Sequence, residues 1–161
     1  MAFCIARQHS AHIYFNSHYP ATLQDFVWWS GLSVAEARQG LEAVKSTFSA
    51  EEINGQTYWL NSAVEHPVSA ANSVHLLPAF DEYLIAYRDR QAIIHPTNHS
   101  KAISSNGIFR PVIVANGQVI GLWKKTTSKH KAITCDFFDA PDEFVRNQIN
   151  EAEDRFIKFL I

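Results

Sequence analysis

The pattern of apolar and polar positions predicts helices in the first third of the chain. A helical segment, Ile5–Ser17, ends before Tyr19-Pro20, because proline disfavours the α region for the residue before it. Thr22 is a natural N-cap for a second helix, Leu23–Ser30, which ends at Gly31.

A third helix and a hairpin follow. The helix begins at the capping box Ser33–Glu36, and its apolar residues recur on one face. Phe48–Ile53 and Gln56–Leu60 then flank Asn54-Gly55, a strong signal for a two-residue hairpin turn. Three helices followed by a hairpin is the order of a winged helix, so the pattern predicts this fold for residues 1–62.

Strand signals replace helical spacing in the second half of the chain. Residues 63–75 are polar and irregular and predict a connector. Phe109–Ala115 and Gln118–Lys124 flank an Asn-Gly pair, which predicts a second hairpin. Lys131–Phe138 alternates well enough to form a further strand.

The last predicted strand leads into a terminal helix. Asp139 is the expected N-cap, with a proline and two acidic residues in the first turn. Six apolar positions keep helical spacing and are expected to pack on the strands: Val145, Ile149, Ala152, Phe156, Phe159 and Leu160. The whole pattern predicts an α+β fold, with a winged helix at 1–62, a connector at 63–75 and a β-rich module with a C-terminal helix at 76–161.

Bulk composition narrows the class of protein. With 161 residues, 47% of them hydrophobic, the chain is long enough for one domain or two small ones, and disorder is not expected. No apolar run reaches the roughly 18 residues of a membrane span, and the N-terminus lacks a signal-peptide layout. Two cysteines give neither a disulfide framework nor a metal quartet. We therefore expect a cytoplasmic protein without a membrane partner.

Charge is segregated within a chain of net charge −2. Residues 86–132 carry eight arginine and lysine side chains and one aspartate, a local net charge of +7. Residues 1–60 and 133–161 are both net acidic. A basic segment of this density attracts polyanions even in a slightly acidic molecule, which points to nucleic acid.

An unusual motif lies where the basic segment begins. Leu76–Arg90 reads LLPAFDEYLIAYRDR and combines an apolar run, adjacent acids and an Arg-Asp-Arg end. Together with Ala21–Leu41, Gly107–Lys125 and the acidic terminal helix, it closely resembles the C-terminal half of the winged-helix DNA-binding family that contains the AlkZ- and YcaQ-type bacterial DNA glycosylases. Those enzymes excise damaged bases and unhook crosslinks. The resemblance covers nearly the whole chain and implies duplex DNA as a partner.

The resemblance has further implications for fold and activity. It implies that the β-rich module is barrel-like and that longer members carry winged-helix units upstream. The family's glycosylases place a Gln-x-Gln or Gln-x-Asp catalytic motif in that upstream part, and no glutamine of this sequence is followed two positions later by Gln or Asp. The nearest pattern is Gln148-Ile-Asn150, on the terminal helix. We expect either a fragment of a longer enzyme or a short relative that binds DNA without excising bases; an autonomous DNA glycosylase is a third hypothesis.

The best candidates for DNA-backbone contacts lie in the basic segment. Residues 124–131 place four lysines, three hydroxyls and a histidine in eight positions, which suits sequence-independent phosphate contacts. A solvated connection between strands is the alternative. The predicted phosphate-contacting residues are Arg88, Arg90, Arg110, Lys124, Lys125, Thr127, Ser128, Lys129 and Lys131.

The Arg-Asp-Arg end of the motif has two interpretations. Arg88 and Arg90 are two residues apart, so on a strand they would share a face and grip phosphates. Ion pairing with Asp81, Glu82 or the acidic terminal helix is the alternative. The adjacent carboxylates are expected to cap a turn or pair with arginine rather than to act in acid-base chemistry.

The predicted winged helix is poorly suited to reading DNA. The outward charges of its third helix cancel, and its hairpin carries Glu51 and Glu52, which repel phosphate. The candidate recognition residues are Arg38, Gln39 and Lys45. The alternative is a scaffold that packs on an upstream winged-helix domain or on a second copy, because one of Trp28 and Trp29 must lie off the buried face.

No cofactor or metal is expected. His95 and His99 have the spacing of a helical metal pair, but Pro96 and the polar residues around it argue against a helix, and no third ligand is nearby in sequence. Cys4 and Cys135 lack a local His/Asp arrangement, so nucleophilic catalysis is not predicted.

Overall fold

The computed structural model describes residues 2–63, 73–126 and 132–160, and side chains within these ranges from residue 5 to residue 158. The chain is α+β and divides into two compact units. Unit 1 comprises Met1–His66 and Ile85–Asp89, and unit 2 comprises Pro67–Leu84 and Arg90–Ile161. The motif Leu76–Arg90 therefore contributes residues to both units.

Unit 1 contains the predicted three helices and hairpin. Its elements are α1 (Ala2–Ser17), α2 (Leu23–Ser30), α3 (Val34–Val44) and the antiparallel strands β1 (Phe48–Ile53) and β2 (Gln56–Asn61). Both predicted capping boxes form, at Thr22 and at Ser33. Gly31 ends α2 with a φ of 69°, and Asn54-Gly55 turns the hairpin with φ values of 52° and 74°.

Aromatic side chains fill the core of unit 1. Tyr14, Phe15 and Phe26 are fully buried, and their ring centroids lie 5.2–5.5 Å apart. The Tyr14 hydroxyl donates to the Ala86 carbonyl at 2.9 Å, which ties the second half of the motif into this core. At Gly40 a Cβ would lie 2.7 Å from a carbonyl oxygen of α1, so a larger residue there would push α1 and α3 apart.

Unit 2 is built on one antiparallel sheet with strand order β3-β4-β5-β6. Its strands are β3 (Val74–Leu77), β4 (Val112–Ala115), β5 (Gln118–Lys125) and β6 (Ile133–Phe137). The helices α4 (Glu82–Ile85) and α5 (His99–Ala102) lie between β3 and β4 in sequence, and α6 (Glu143–Leu160) follows β6. The expected barrel-like closure is wrong for the part of the chain that the structure describes, since its four strands form an open sheet. Closing a barrel takes more strands than this.

The strands of unit 2 follow the predicted hairpin with one altered boundary. Asn116-Gly117 turns β4 into β5 with φ values of 50° and 77°, as expected for this pair. β4 begins at Val112 rather than at Phe109, because Pro111 has no N–H to donate to a strand ladder. β3 lies partly within residues predicted to form the connector.

The terminal helix packs on the sheet as predicted but has a different cap. Asp142 rather than Asp139 caps α6, since its carboxylate accepts the Val145 N–H at 2.7 Å. Pro141 disfavours the α region for the residue before it, which delays the start of the helix. Val145, Ile149 and Phe156 pack with sheet residues in one apolar cluster, and Ala152 is buried. The side chains of Phe159 and Leu160 lie outside the described residues. No helix among the described residues is both long and apolar enough to cross a membrane.

Candidate nucleic-acid interface

A groove on unit 2 brings together two of the predicted phosphate-contacting residues. Its volume is about 520 Å³, and its lining includes Arg110, Leu122, Trp123, Lys124, Thr134 and Asp136. Arg110 precedes β4, while the other residues belong to β5 and β6.

The register of two strands explains why these side chains meet. Leu122 pairs with Asp136, and Lys124 pairs with Thr134. Because side chains alternate along a strand and directly paired residues share a face, these four lie on one face of the sheet. β5 and β6 approach closely at Gly121, where a Cβ would lie 2.6 Å from the Asp136 carbonyl oxygen.

The polar groups of the groove suit an anion. The side chains of Arg110 and Lys124 are exposed and make no hydrogen bond or ion pair with the rest of the described chain. The Thr134 hydroxyl oxygen is buried and lacks a hydrogen-bond partner among the described residues. Guanidinium and ammonium groups form strong, charge-assisted hydrogen bonds to phosphate oxygens. Asp136 opposes them, so the charged groups of the groove sum to one positive charge.

The lysine-rich segment begins at the end of β5. Lys125 is exposed and pairs in register with Ile133, and the Thr126 N–H donates to the Ala132 carbonyl at 2.8 Å. The remaining predicted phosphate-contacting residues of this segment lie outside the described residues: Thr127, Ser128, Lys129 and Lys131.

The two arginines of the motif have separate environments. The prediction that they share a strand face is wrong, because residues 86–90 form no strand and Arg88 and Arg90 belong to different units. The backbone N–H of Arg88 donates to the Asp25 carboxylate at 2.8 Å, and its guanidinium donates to the Gln24 amide oxygen at 3.0 Å. Arg88 itself is exposed.

Arg90 is a buried residue of unit 2. It is 8% exposed, its Nε donates to the Leu84 carbonyl at 2.5 Å, and its guanidinium carbon lies 5.1 Å from the centre of the Phe109 ring. The two-residue spacing of Arg88 and Arg90 did not predict that Arg90 would be buried. A phosphate contact from Arg90 would need the side chain to leave this position.

The acid pair of the motif has a structural role at its first member. Asp81 caps α4, since its carboxylate accepts the Tyr83 N–H at 2.9 Å. The Tyr83 hydroxyl donates to the Gly117 carbonyl at 2.7 Å, and burial raises the pKa of Tyr83 above its usual 10.0. Turn capping is thus confirmed as the role of Asp81.

The candidate recognition residues of α3 are largely engaged with neighbours. Lys45 forms an ion pair with Glu42 at 2.6 Å, and Gln39 accepts a hydrogen bond from Arg7 at 3.2 Å. Arg38 is exposed and has no side-chain partner in the described ranges.

A second ion pair joins α1 to the start of α3. Glu36 accepts hydrogen bonds from Ser33 and pairs with Arg7, and these contacts hold the pKa of Glu36 below its usual 4.5. On the hairpin, Glu51 and Glu52 are exposed.

The two neighbouring tryptophans of α2 differ in exposure, as predicted. Trp29 packs against the aromatic core of unit 1, with its ring centroid 5.1 Å from that of Tyr14. Trp28 is 51% exposed, and its indole N–H donates to the Ile85 carbonyl at 2.8 Å.

Neither of the two histidines with metal-pair spacing belongs to a cluster of ligands. His95 caps a short turn, with its Nδ1 2.8 Å from the Thr97 hydroxyl. Within the described ranges, no group of three or more His, Cys, Asp or Glu side chains could hold a metal ion.

Sequence reasoning missed four members of the groove: Pro111, Leu122, Thr134 and Asp136. The alternation along β5 and β6 was readable, but the register between the strands was not, because seven residues, 126–132, separate them in sequence. Phe80 was also missed. It is 55% exposed with a φ of 58°, a conformation that nothing in a phenylalanine signals.

Comparisons with known proteins support the resemblance. The family model described as DNA glycosylase AlkZ-like matches residues 6–159. An interstrand DNA cross-link repair glycosylase of Streptomyces sahachiroi is 25% identical over 118 residues, which cover 69% of this chain and 32% of that protein. The structure of the Streptomyces sahachiroi DNA glycosylase AlkZ matches with a TM-score of 0.71 at 18% identity, over 90% of this chain and 41% of that one. The chain therefore spans less than half the length of either relative, and the structural match shows a shared fold.

Proposed function

Because the chain belongs to the AlkZ-like DNA glycosylase family, we propose that it binds duplex DNA through backbone phosphates, with unit 2 making the main contacts. The main support for this proposal is the groove of unit 2. There, the exposed side chains of Arg110 and Lys124 have no partner among the described residues, and the exposed Lys125 follows directly.

The physical basis is the exchange of counterions for protein cations. Duplex DNA holds a condensed layer of cations, and each arginine or lysine that contacts a phosphate releases part of it. Side chains that already pair with a carboxylate gain little from such an exchange, because the existing pair must first be broken. Arg110, Lys124 and Lys125 start without that cost. Lys129 and Lys131 are two further lysines of the same sequence segment and lie outside the described residues.

Unit 1 is proposed to be the winged helix of the family, acting mainly as a scaffold. Two of the three candidate recognition residues, Gln39 and Lys45, already contact other side chains of unit 1. Glu51 and Glu52 on the hairpin repel phosphate. Arg38 is the residue of α3 that remains suited to a DNA contact, and Arg88 is an additional exposed cation of unit 1.

The proposed activity is binding without base excision. The resemblance implies that the family's glycosylases place a Gln-x-Gln or Gln-x-Asp catalytic motif upstream of the matching part, and these 161 residues do not contain it. Excision needs a positioned polar group that stabilises the charge developing on the sugar. Incubation with alkylated duplex should release no base. Release that a single polar substitution abolishes would overturn this part of the proposal.

The decisive experiment measures duplex affinity by fluorescence anisotropy across a series of salt concentrations. Affinity should fall steeply with salt. Lys124→Ala/Lys125→Ala should weaken binding and flatten the slope of log K against log salt by roughly two, because each phosphate that a lysine neutralises contributes about 0.9 to that slope. Lys158→Ala is the matched control, because it removes an exposed lysine from α6 outside the groove. Binding that is independent of salt, or absent at low ionic strength, would contradict the proposal.

A second candidate function is an interaction module that pairs with another protein chain. The observation in its favour is the exposed ring of Trp28, since large aromatic side chains on a surface often mark contacts between proteins. Light scattering over a range of concentrations tests it. A dimer that dissociates in the Trp28→Ala variant would favour this function. A chain that stays monomeric and binds no other protein chain would count against it.

A further inference from the structure

Phe80 displays an aromatic ring from an unfavourable backbone conformation. It is 55% exposed and has a φ of 58°. This left-handed region is disfavoured for any residue with a Cβ and is rare for bulky ones. Burial would ordinarily compensate such a residue, yet here half of the side chain faces solvent. Conformations of this kind persist where the surrounding structure fixes them, and they concentrate at binding sites.

The turn that carries Phe80 is held on both sides. Before it, the indole N–H of Trp123 donates to the Leu77 carbonyl at 2.8 Å. After it, the Tyr83 hydroxyl donates to the Gly117 carbonyl at 2.7 Å. The segment that carries Phe80 is therefore tied to β5 and to the turn that precedes β5.

The Phe80 ring contacts a second ring that lies under a cation. The centroids of Phe80 and Phe109 are 6.0 Å apart with the rings tilted by 54°. Phe109 is 9% exposed, and the guanidinium of Arg90 lies over it. These contacts support the ring from the protein side and leave its exposed part available to a partner.

The positively charged residues of the groove indicate what kind of ligand the Phe80 ring would contact. Arg110 follows Phe109 directly, so their Cα atoms are about 3.8 Å apart. Trp123 anchors the Phe80 turn and also lines the groove that contains Arg110 and Lys124. An exposed aromatic ring packed on the residue that precedes a groove arginine fits a ligand that joins a π face to a phosphate, which is the chemistry of a nucleotide whose base has left the stack.

We propose that Phe80 stacks on an unpaired base of the DNA that the groove holds. The inference rests on the proposed function and adds to it the form of DNA that binds best. A fully paired duplex offers phosphates but no free base face. A duplex with an unpaired base offers both, and unpairing there costs least.

The test compares two duplexes of the same sequence, one fully paired and one with a single bulged fluorescent adenine analogue. The wild-type chain should prefer the bulged duplex by roughly five- to hundredfold, the range that stacking on one aromatic side chain supplies. It should also quench the analogue. Phe80→Ala should lose the preference and the quenching while keeping its affinity for the paired duplex. Phe80→Trp should retain both, because it keeps a π face.

Two further controls separate stacking from packing. Phe80→Leu keeps an apolar side chain without a π face, so it should lose the quenching, and it replaces Phe80→Ala in the comparison if that variant unfolds. Equal wild-type affinity for the two duplexes, or a preference that survives in both variants, would overturn this inference alone. Failure of the wild-type chain to bind either duplex would overturn the proposed function as well. If light scattering shows a wild-type dimer that dissociates in Phe80→Ala, the ring belongs to a protein interface and the inference is overturned.

Discussion

In unit 1 several charged side chains pair with one another: Arg7 of α1 pairs with Glu36 of α3, and Lys45, which follows α3, pairs with Glu42. In unit 2 the side chains of Arg110 and Lys124 face a groove without a partner in the described part of the chain. A winged helix leads one to look for DNA contacts on its third helix. The difference between the units is the reason that we propose phosphate contacts at the groove of unit 2 rather than on α3.

The same contrast extends to the motif Leu76–Arg90. Arg88 of the motif belongs to unit 1 and makes two hydrogen bonds with residues of α2. Arg90 of the motif belongs to unit 2 and is buried against Phe109. The arginines of the motif therefore serve the structure of the two units, and we assign the phosphate-binding role chiefly to residues that come after it.

The largest expected effect is on the stability of unit 1. Asp25 is buried and accepts three hydrogen bonds, from the Thr22 N–H, the Thr22 hydroxyl and the Arg88 N–H. Asp25→Ala leaves these donors without their acceptor and should lower the free energy of unfolding by about 1–3 kcal/mol. Chemical denaturation followed by tryptophan fluorescence measures it. Glu51→Ala, at an exposed hairpin position, is the control and should change little. An unaltered midpoint in Asp25→Ala would show that unit 1 does not depend on this carboxylate.

A smaller effect is expected for the polar contact that supports unit 2. Tyr83→Phe removes the hydrogen bond to the Gly117 carbonyl and should cost about 0.5–1.5 kcal/mol. Because burial raises the pKa of Tyr83 above 10.0, the contribution of the neutral phenol is full below pH 10.0 and is lost as the pH rises through the raised value. The difference in the free energy of unfolding between the wild type and Tyr83→Phe should therefore become smaller as the pH is raised above 10.0. A constant difference would contradict the assignment.

The next effect is an acid dependence in unit 1. The pKa of Glu36 lies below 4.5, mainly because Ser33 donates hydrogen bonds to its carboxylate and Arg7 lies nearby. Its stabilising contribution is therefore present above pH 4.5 and is lost as the pH falls through the lowered pKa. Glu36→Gln should remove this part of the acid dependence. NMR titration of the Glu36 carboxyl provides the direct check, and a pKa above 4.5 would refute the contact.

The smallest expected effect on stability is at the groove. Arg110→Ala and Lys124→Ala remove side chains without partners among the described residues, so each should change the free energy of unfolding by no more than about 0.5 kcal/mol. Thermal unfolding in the absence of DNA measures this. A loss well above that range would show that the two cations hold unit 2 together, and the contrast between the units would fail.

Local sequence signals predicted much of this fold. The capping boxes at Thr22 and Ser33 and the two Asn-Gly turns were readable because each depends on residues a few positions apart. The apolar spacing of α6 likewise predicted the side that packs on the sheet. Motif resemblance identified the family, which the match to residues 6–159 confirms.

Features that depend on distant contacts were not readable. The groove exists because Lys124 is in register with Thr134 across β5 and β6, and no local pattern fixes that register. Arg90 was expected to grip phosphates from a strand face or to pair with a carboxylate, yet its guanidinium lies over Phe109 and its Nε donates to the Leu84 carbonyl. The left-handed conformation of Phe80 likewise follows from the contacts around its turn rather than from its residue type.

The central claim is that duplex DNA is held by the unengaged cations of unit 2 rather than by α3. The most direct measurement compares the salt dependence of duplex binding in two matched double variants, Arg110→Ala/Lys124→Ala and Arg38→Ala/Lys45→Ala. Each removes one arginine and one lysine. The first should weaken binding and reduce the slope of log K against log salt by about two, since each neutralised phosphate contributes roughly 0.9. The second should reduce the slope by no more than about one, because Lys45 is already paired with Glu42 and only Arg38 lacks a partner among the described residues. A larger loss in the second variant than in the first would place the main phosphate contacts on Arg38 and Lys45 and contradict the account.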